Sequence, residues 1–360
     1  MKLFPLLRTS VFWFGLLAAL PLWLACLSYF FLAGAFPILD ALGILVPWLV
    51  GGNLVVLFAG LVLRSRRAAL VSLVTLAVAF LSFGTIREFR PHKPLGRESG
   101  LHLMSFNVRH FSDGRYVGDE DPENRIARFI EAENPQIVCL QEFSLRKKKE
   151  FSRYPYQYLT PYSSGKTTQA IFSKFPITGR GEVRFPDTGN NALYADILIG
   201  PDTVRVYNIH LQSYNIEDRR FLLRNYGLDF IRRLNDIAKM HLQQARLVKE
   251  HLRSSPYPSI LCGDLNATAY SRTYRILKKG MTDSFRERGS GWGITFYLSG
   301  RYPFRIDFIL ADERFEVLGH RNYPNRLSDH LPVSAWLTPA GEHPAIDGIG
   351  QDVDQQPQPE

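Results

Sequence analysis

The chain has 360 residues, 43 of them lysine or arginine against 34 aspartate or glutamate, and three cysteines. That length holds one sizeable soluble domain and something smaller, and three scattered cysteines exclude a disulfide framework without deciding whether the compartment is oxidising. A net charge of +9 excludes an acid-rich solvating chain and favours an anionic partner, although a solvated basic surface accounts for it equally well.

Charge is unevenly spread. Seven basic and two acidic residues lie before residue 91, none and five after residue 338, so the whole excess belongs to the middle. Ahead of Arg64 the only charges are Lys2, Arg8 and Asp40. Three uncharged stretches, Thr9–Leu39, Ala41–Leu63 and Ala68–Ile86, are each long enough to cross a bilayer as a helix. They predict three transmembrane helices over 1–90. A buried soluble hairpin would need an apolar second layer that no later segment offers. A cleaved leader ending at Ala33-Gly34-Ala35 would have an unusually long apolar run, and two more spans follow it. Lys2, Arg8, Arg64, Arg66 and Arg67 mark the cytoplasmic ends, and three crossings carry everything after Ile86 to the far side. Arg87, Arg90 and Lys93 argue mildly the other way. The expected location is a bacterial inner or plasma membrane, with the soluble part extracytoplasmic.

Residues 91–100 are rich in proline, glycine and charge and read as a linker. From Leu101 the pattern alternates between strand and helix. Strand-like runs are Leu101–Val108, Gln136–Leu140, Ala170–Phe172, Ala192–Ile199, Thr203–Ile209, Ser259–Cys262, Arg305–Leu310 and Val333–Leu337. Helical spacing marks Pro122–Asn134 through Ile126, Phe129 and Ile130, and Ile237–Leu252 through Leu242, Ala245, Val248 and Leu252. This irregular alternation fits an α/β (α+β) mixed-sheet sandwich over 101–338 better than a repeated βαβ fold. Residues 339–360, with proline, glutamine and aspartate, predict a disordered acidic tail.

Polar residues gather where the apolar runs stop: Asn107, Gln141-Glu142, His210, Gly263-Asp264-Leu265-Asn266, Asp307 and Ser328-Asp329-His330. One such residue is more often a turn former than a ligand. Six sites supplying acids, amides and imidazoles, with no cysteine among them, suit in-line attack of water on a phosphodiester. Glu142 supplies a carboxylate to a hard cation, magnesium first, with manganese or calcium as alternatives. Asp264 holds the attacking water. Asn107 and Asn266 contact metal or phosphate without adding charge, His210 and His330 face the phosphate, and Asp307 fixes one imidazole.

In order, Phe106-Asn107-Val108, Leu140-Gln141-Glu142, Asn208-Ile209-His210-Leu211, Gly263-Asp264-Leu265-Asn266, Arg305-Ile306-Asp307 and Ser328-Asp329-His330 resemble the successive motifs of the endonuclease/exonuclease/phosphatase superfamily. The resemblance implies a four-layer α/β/β/α sandwich of two mixed sheets with the site at one rim. It also implies Glu142 as main metal ligand, Asn107 and Asp329 near that metal, Asp264 as base, Asn266 as phosphate contact, and His330 paired with Asp307. Thr295 matches a further, substrate-binding position of the family. Several DNA-acting members carry a carboxylate two positions beyond the first asparagine, where this chain has Arg109.

Other signals are weaker. Gly165-Lys166-Thr167-Thr168 lacks the first glycine of a phosphate loop. Ser328, Asp329 and His330 are adjacent and cannot line up as a hydrolase triad. Asn266-Ala267-Thr268 fits a glycosylation acceptor but belongs to the Gly-Asp-x-Asn motif. Arg146–Lys149 and the basic 219–253 stretch, with Phe221, Tyr226 and Phe230, read as solvated surface and core before polyanion grips. The first expectation for the substrate is therefore nucleic acid or another phosphodiester. A phospholipid or sphingolipid head group is the second, though no exposed aromatic hairpin beside the site stands out. Inositol phosphates share the fold-level mechanism. A non-catalytic membrane receptor on the same fold would have eroded acids and histidines, and these are present. No protein partner is evident.

Overall fold

The computed structural model describes residues 3–90, 100–111, 122–214 and 227–340. The expected linker over 91–99, the tail beyond 340, and Phe221 and Tyr226 lie outside these residues.

The first 90 residues form three helices, α1 (Leu3–Phe30), α2 (Val46–Val62) and α3 (Arg66–Phe83). α1 and α3 are long and apolar enough to cross a membrane. α2 joins them only if it is counted with the 3-10 segment Pro37–Ile44, against which it is bent by 66°. The expected unbroken runs Thr9–Leu39 and Ala41–Leu63 are thus interrupted over 31–45. Hydropathy cannot see this break, because Gly34, Pro37, Gly43 and Pro47 interrupt or restart a helix without adding polarity. The far end of the bundle is basic: Arg8 Nε donates to the Leu63 carbonyl at 2.7 Å, beside Arg64, Arg66 and Arg67.

The 3-10 segment leaves the bundle and docks on the α/β part. Asp40, buried there, accepts hydrogen bonds from the Arg272 amide (2.5 Å), the Thr273 amide (3.3 Å) and the Thr273 hydroxyl (2.7 Å). The Thr268 hydroxyl donates to the Gly43 carbonyl at 2.8 Å, and the Ile38 amide to Asn235 Oδ1 at 3.1 Å. A side chain at Gly43 would press on the Tyr270 and Ser271 backbone at 3.1 Å, so glycine permits the close approach. Trp48 packs on Phe304 with ring centres 5.2 Å apart.

The α/β part contains fourteen strands among the described residues. In chain order they are β1 (Leu101–Asn107), β2 (Ile137–Gln141), β3 (Tyr156–Leu159), β4 (Ala170–Ser173), β5 (Ile177–Arg184), β6 (Asn191–Ile199) and β7 (Asp202–His210). There follow β8 (Ser259–Asp264), β9 (Met281–Asp283), β10 (Phe296–Leu298), β11 (Tyr302–Phe304), β12 (Asp307–Asp312), β13 (Phe315–Asn322) and β14 (Val333–Pro339). They build two mixed six-stranded sheets, β13-β14-β1-β2-β4-β3 and β5-β6-β7-β8-β12-β9, and a separate hairpin β10-β11. Between the sheets lies an apolar layer that includes Leu103, Cys139, Ile171, Val206, Cys262 and Ile309. Helix α4 (Pro122–Glu133) covers the outer face of the first sheet through Ile126 and Ile130. The second is covered by α5 (Leu228–Arg253), through Ala245 and Val248, and by α6 (Arg272–Lys278). This is the expected four-layer sandwich. Each sheet is apolar on both faces because both are covered, so its central strands read as continuous hydrophobic runs.

Candidate active site

Strand register brings the polar ends together. Parallel β7 and β8 pair His210 with Asp264, and antiparallel β12 pairs Asp307 with the same Asp264. Three side chains from distant parts of the chain thus stand abreast at one rim of the second sheet. Across the sandwich, β1 and β2 end at Asn107 and Gln141, paired in parallel, and Glu142 follows at once. Gly263 allows this convergence: a Cβ there would lie 2.0 Å from the Ile209 carbonyl oxygen. Glu142 sits at φ +49°, a left-handed conformation that costs a non-glycine residue about 1 kcal/mol or more. That turn carries its carboxylate over the rim.

The groups bond to one another. Asn107 Nδ2 donates to Asp264 Oδ2 (3.1 Å) and to Glu142 Oε1 (3.3 Å), linking the two acids from the floor of the site. Asp264 Oδ1 accepts from the Asn266 amide at 2.7 Å, and its Oδ2 from Asn266 Nδ2 at 3.3 Å. His210 Nε2 stands 3.7 Å from Glu142 and from Asp264. His330 places Nε2 3.6 Å from Asp264 and Nδ1 3.0 Å from Asp307 Oδ2. On the other flank, Asp329 accepts from the Ser328 hydroxyl at 2.9 Å and lies 3.0 Å from the Arg109 guanidinium.

Electrostatics separate the titrating groups. Burial pushes the Asp264 carboxyl up to about 7, against the opposing pull of His330. Burial alone would lower His330, but the carboxylates of Asp307 and Asp264 outweigh it and hold the imidazolium up to about 10. His210, fully enclosed, is pushed down by burial, so it is neutral where His330 is charged.

Asp264, Asp307 and His330 bring one potential ligand atom each within 4.8 Å of one another. In that trio, however, His330 Nδ1 faces Asp307 and the ring carries positive charge, which disfavours a cation between them. Glu142, Asn107 and Asp329 are the alternative. They offer hard oxygen atoms and no sulfur, the donor set that suits magnesium or manganese.

Glu142, His210, Asp264, Asn266, Asp329 and His330 line one cleft of about 490 Å³. Asn107 forms its buried floor. Thr295 lies elsewhere: fully enclosed, its hydroxyl accepts the amides of Ile306 and Asp307, each at 3.0 Å, so it sits behind Asp307 and not in the cleft. The structure adds wall residues that the sequence did not single out. Phe296, Leu298 and Phe304 come from the β10-β11 hairpin, and Ile44 comes from the helical segment. The expectation that no aromatic hairpin lies beside the site is therefore corrected. Phe296-Tyr-Leu-Ser-Gly-Arg-Tyr-Pro-Phe304, aromatic on both sides of a Ser-Gly turn, was the available signal.

A sequence profile of the Endonuclease/Exonuclease/phosphatase family matches residues 104–330. No curated protein sequence matches the chain. Among solved structures it is similar to an endonuclease/exonuclease/phosphatase from Beutenbergia cavernae, at 19% identity and TM-score 0.51 over 67% of this chain and 72% of the other. The Bacteroides vulgatus endonuclease/exonuclease/phosphatase gives 18% and 0.52 over 67% and 99%. A humanized D. rerio TDP2 gives 16% and 0.50 over 66% and 98%. At these identities the likeness speaks for the fold.

Proposed function

The chain belongs to the endonuclease/exonuclease/phosphatase family, whose members are generally phosphoester hydrolases, and from this premise we propose that it hydrolyses a phosphodiester by in-line attack of water beside a divalent cation. The observation that carries the reading is the meeting of His210, Asp264 and Asp307 on three adjacent strands, with Glu142 and His330 closing over them.

Asp264 is the base. Its buried carboxylate, steadied by Asn107 and Asn266, orients a water and takes its proton. His330, held by Asp307, keeps a positive charge against the phosphoryl oxygens. Neutral His210 donates a hydrogen bond to the same group, and Asn266 is a second phosphate contact. Thr295 acts through Asp307, whose amide it holds. The water oxygen bonds to phosphorus, the ester P–O bond breaks, Asp264 takes the water's proton and releases it to solvent, and the leaving oxygen, departing as an anion, takes a proton from solvent water. Glu142, Asn107 and Asp329 would hold the cation, magnesium first, which lowers the pKa of water and neutralises phosphoryl charge.

We further propose that the helices over 1–90 anchor the protein in the cytoplasmic membrane with the hydrolase part outside. The support is that Arg8, Arg64, Arg66 and Arg67 share the end of the bundle remote from the α/β part.

The test uses the full chain in detergent with bis(p-nitrophenyl) phosphate and Mg2+ or Mn2+. The expected result is metal-dependent turnover that falls at least about a hundredfold in Asp264→Ala. Equal turnover by the variant removes Asp264 from the mechanism.

A further inference from the structure

The cleft has two unlike ends. One holds the carboxylates and imidazoles described above. The other is walled by Ile44, Leu298 and Phe304, and Phe296 joins the two, its ring centre 4.7 Å from that of His330. Among the described residues lining it, Arg109 alone bears fixed positive charge, and Asp329 stands 3.0 Å from that charge. A nucleic acid is bound mainly by neutralising several phosphates. The described lining offers instead one place for a phosphate and an apolar slot beside it.

The apolar end is continuous with the helical segment. Ile44 closes the 3-10 segment, and α2 starts two residues later. Trp48, in the first turn of α2 and 44% exposed, packs at a tilt against Phe304 of the cleft wall, the ring planes 59° apart. Farther along α2, Leu54, Val55, Phe58 and Leu61 are all more than half exposed, as side chains facing lipid would be. Tryptophan favours the level where acyl chains give way to head groups. An apolar path therefore runs from the outside of a membrane helix, over Trp48 and Phe304, to the carboxylates. The path is held in place by Asp40, Gly43 and Ile38, which bond to the α/β part on the adjoining surface.

We propose that the substrate is a lipid of the surrounding bilayer. Its phosphodiester head enters beside Asp264 and His330, and its hydrocarbon lies along Ile44, Leu298, Phe304 and Trp48. This rests on the phosphodiesterase reading and names its substrate class. Hydrolysis is balanced as before: water oxygen joins phosphorus, one P–O ester bond breaks, and a water-soluble head-group product separates from a product that stays in the membrane.

The test compares two esters that differ only in their tail, hexadecyl p-nitrophenyl phosphate and methyl p-nitrophenyl phosphate. Both are presented to the full chain in phosphatidylcholine vesicles with Mg2+ or Mn2+. Each buried methylene contributes about 0.8 kcal/mol, so a few methylenes of slot contact suffice for kcat/KM at least about a hundredfold higher for the hexadecyl ester. Because the hexadecyl ester also concentrates in the vesicles, the decisive quantity is how the ratio changes on substitution. Trp48→Ser and Phe304→Ser should each reduce the hexadecyl-to-methyl ratio at least about tenfold. Taking the ratio within one preparation removes any loss of folded protein. Equal rates for the two esters, a ratio unmoved by both substitutions, or cleavage of single-stranded DNA with neither ester turned over would each overturn the lipid assignment and leave the hydrolase reading standing. Failure to cleave either ester or DNA would overturn both.

Discussion

The carboxylate of Asp40 accepts a hydrogen bond of 2.7 Å from the hydroxyl of Thr273, 233 positions later in the chain. With the Arg272 and Thr273 amides it satisfies two donors at the start of α6 that the helix itself leaves open. Asp40→Ala leaves them buried and unpaired, at a cost of about 3 kcal/mol. We expect a lower thermal unfolding midpoint for the full chain in detergent. An unchanged midpoint would mean that the 3-10 segment is not docked as described.

The opposed shifts of Asp264 and His330 predict a bell-shaped pH profile. On the proposed mechanism activity needs Asp264 ionised and His330 protonated, so kcat/KM should rise as pH passes through about 7 and fall as it passes through about 10. A cation at Glu142 moves the acid limb lower. Asp307→Asn removes one of the carboxylates that keep His330 charged and should bring the alkaline limb down. Initial rates from pH 5 to 11 check this, and an alkaline limb that stays in place would separate Asp307 from His330.

Glu142→Gln removes charge from the cation's expected holder and keeps the side chain's shape. We expect a rightward shift of at least about tenfold in the Mg2+ concentration giving half-maximal activity, as carboxylate loss weakens a hard-ion site. Chelation should abolish wild-type turnover and added Mg2+ or Mn2+ restore it. Wild-type activity that survives exhaustive chelation would refute metal dependence.

Stability should also fall with acid. His102, His241 and His320 are buried and depressed to about 4 by burial. The unfolded chain therefore binds more protons than the folded one between 6.5 and 4. The stabilisation is complete above 6.5 and is lost as pH falls through that window. The loss is on the order of 2 kcal/mol per group at pH 5. His102→Phe keeps a ring against Trp336, whose centre lies 4.3 Å away, while removing one titration. It should flatten the dependence of the unfolding midpoint on pH between 6.5 and 4.

The motif order made most of the site legible in the sequence. Each polar cluster follows an apolar strand, and strand ends in a sandwich gather at a rim, so His210, Asp264 and Asp307 could be placed before their register was known. The hairpin was not legible: β10 and β11 have three residues each, too few for alternation to show. Arg109 was visible only as a departure from the family pattern, and its pairing with Asp329 needed coordinates. Ile44 was hidden for another reason. Its neighbours in the cleft lie 65 or more positions away, and within its own stretch it is one more apolar residue among many.

That Ile44 and Asp40 belong to the amino-terminal helices has a practical result for anyone handling the protein. A fragment starting near residue 100 would lose part of its cleft lining and strand the Thr268, Arg272 and Thr273 donors in a newly opened seam. Grafting the hydrolase part onto an unrelated tether would do the same. The front of this chain is a structural component of the candidate pocket, and selectivity measured without it would describe a different receptor.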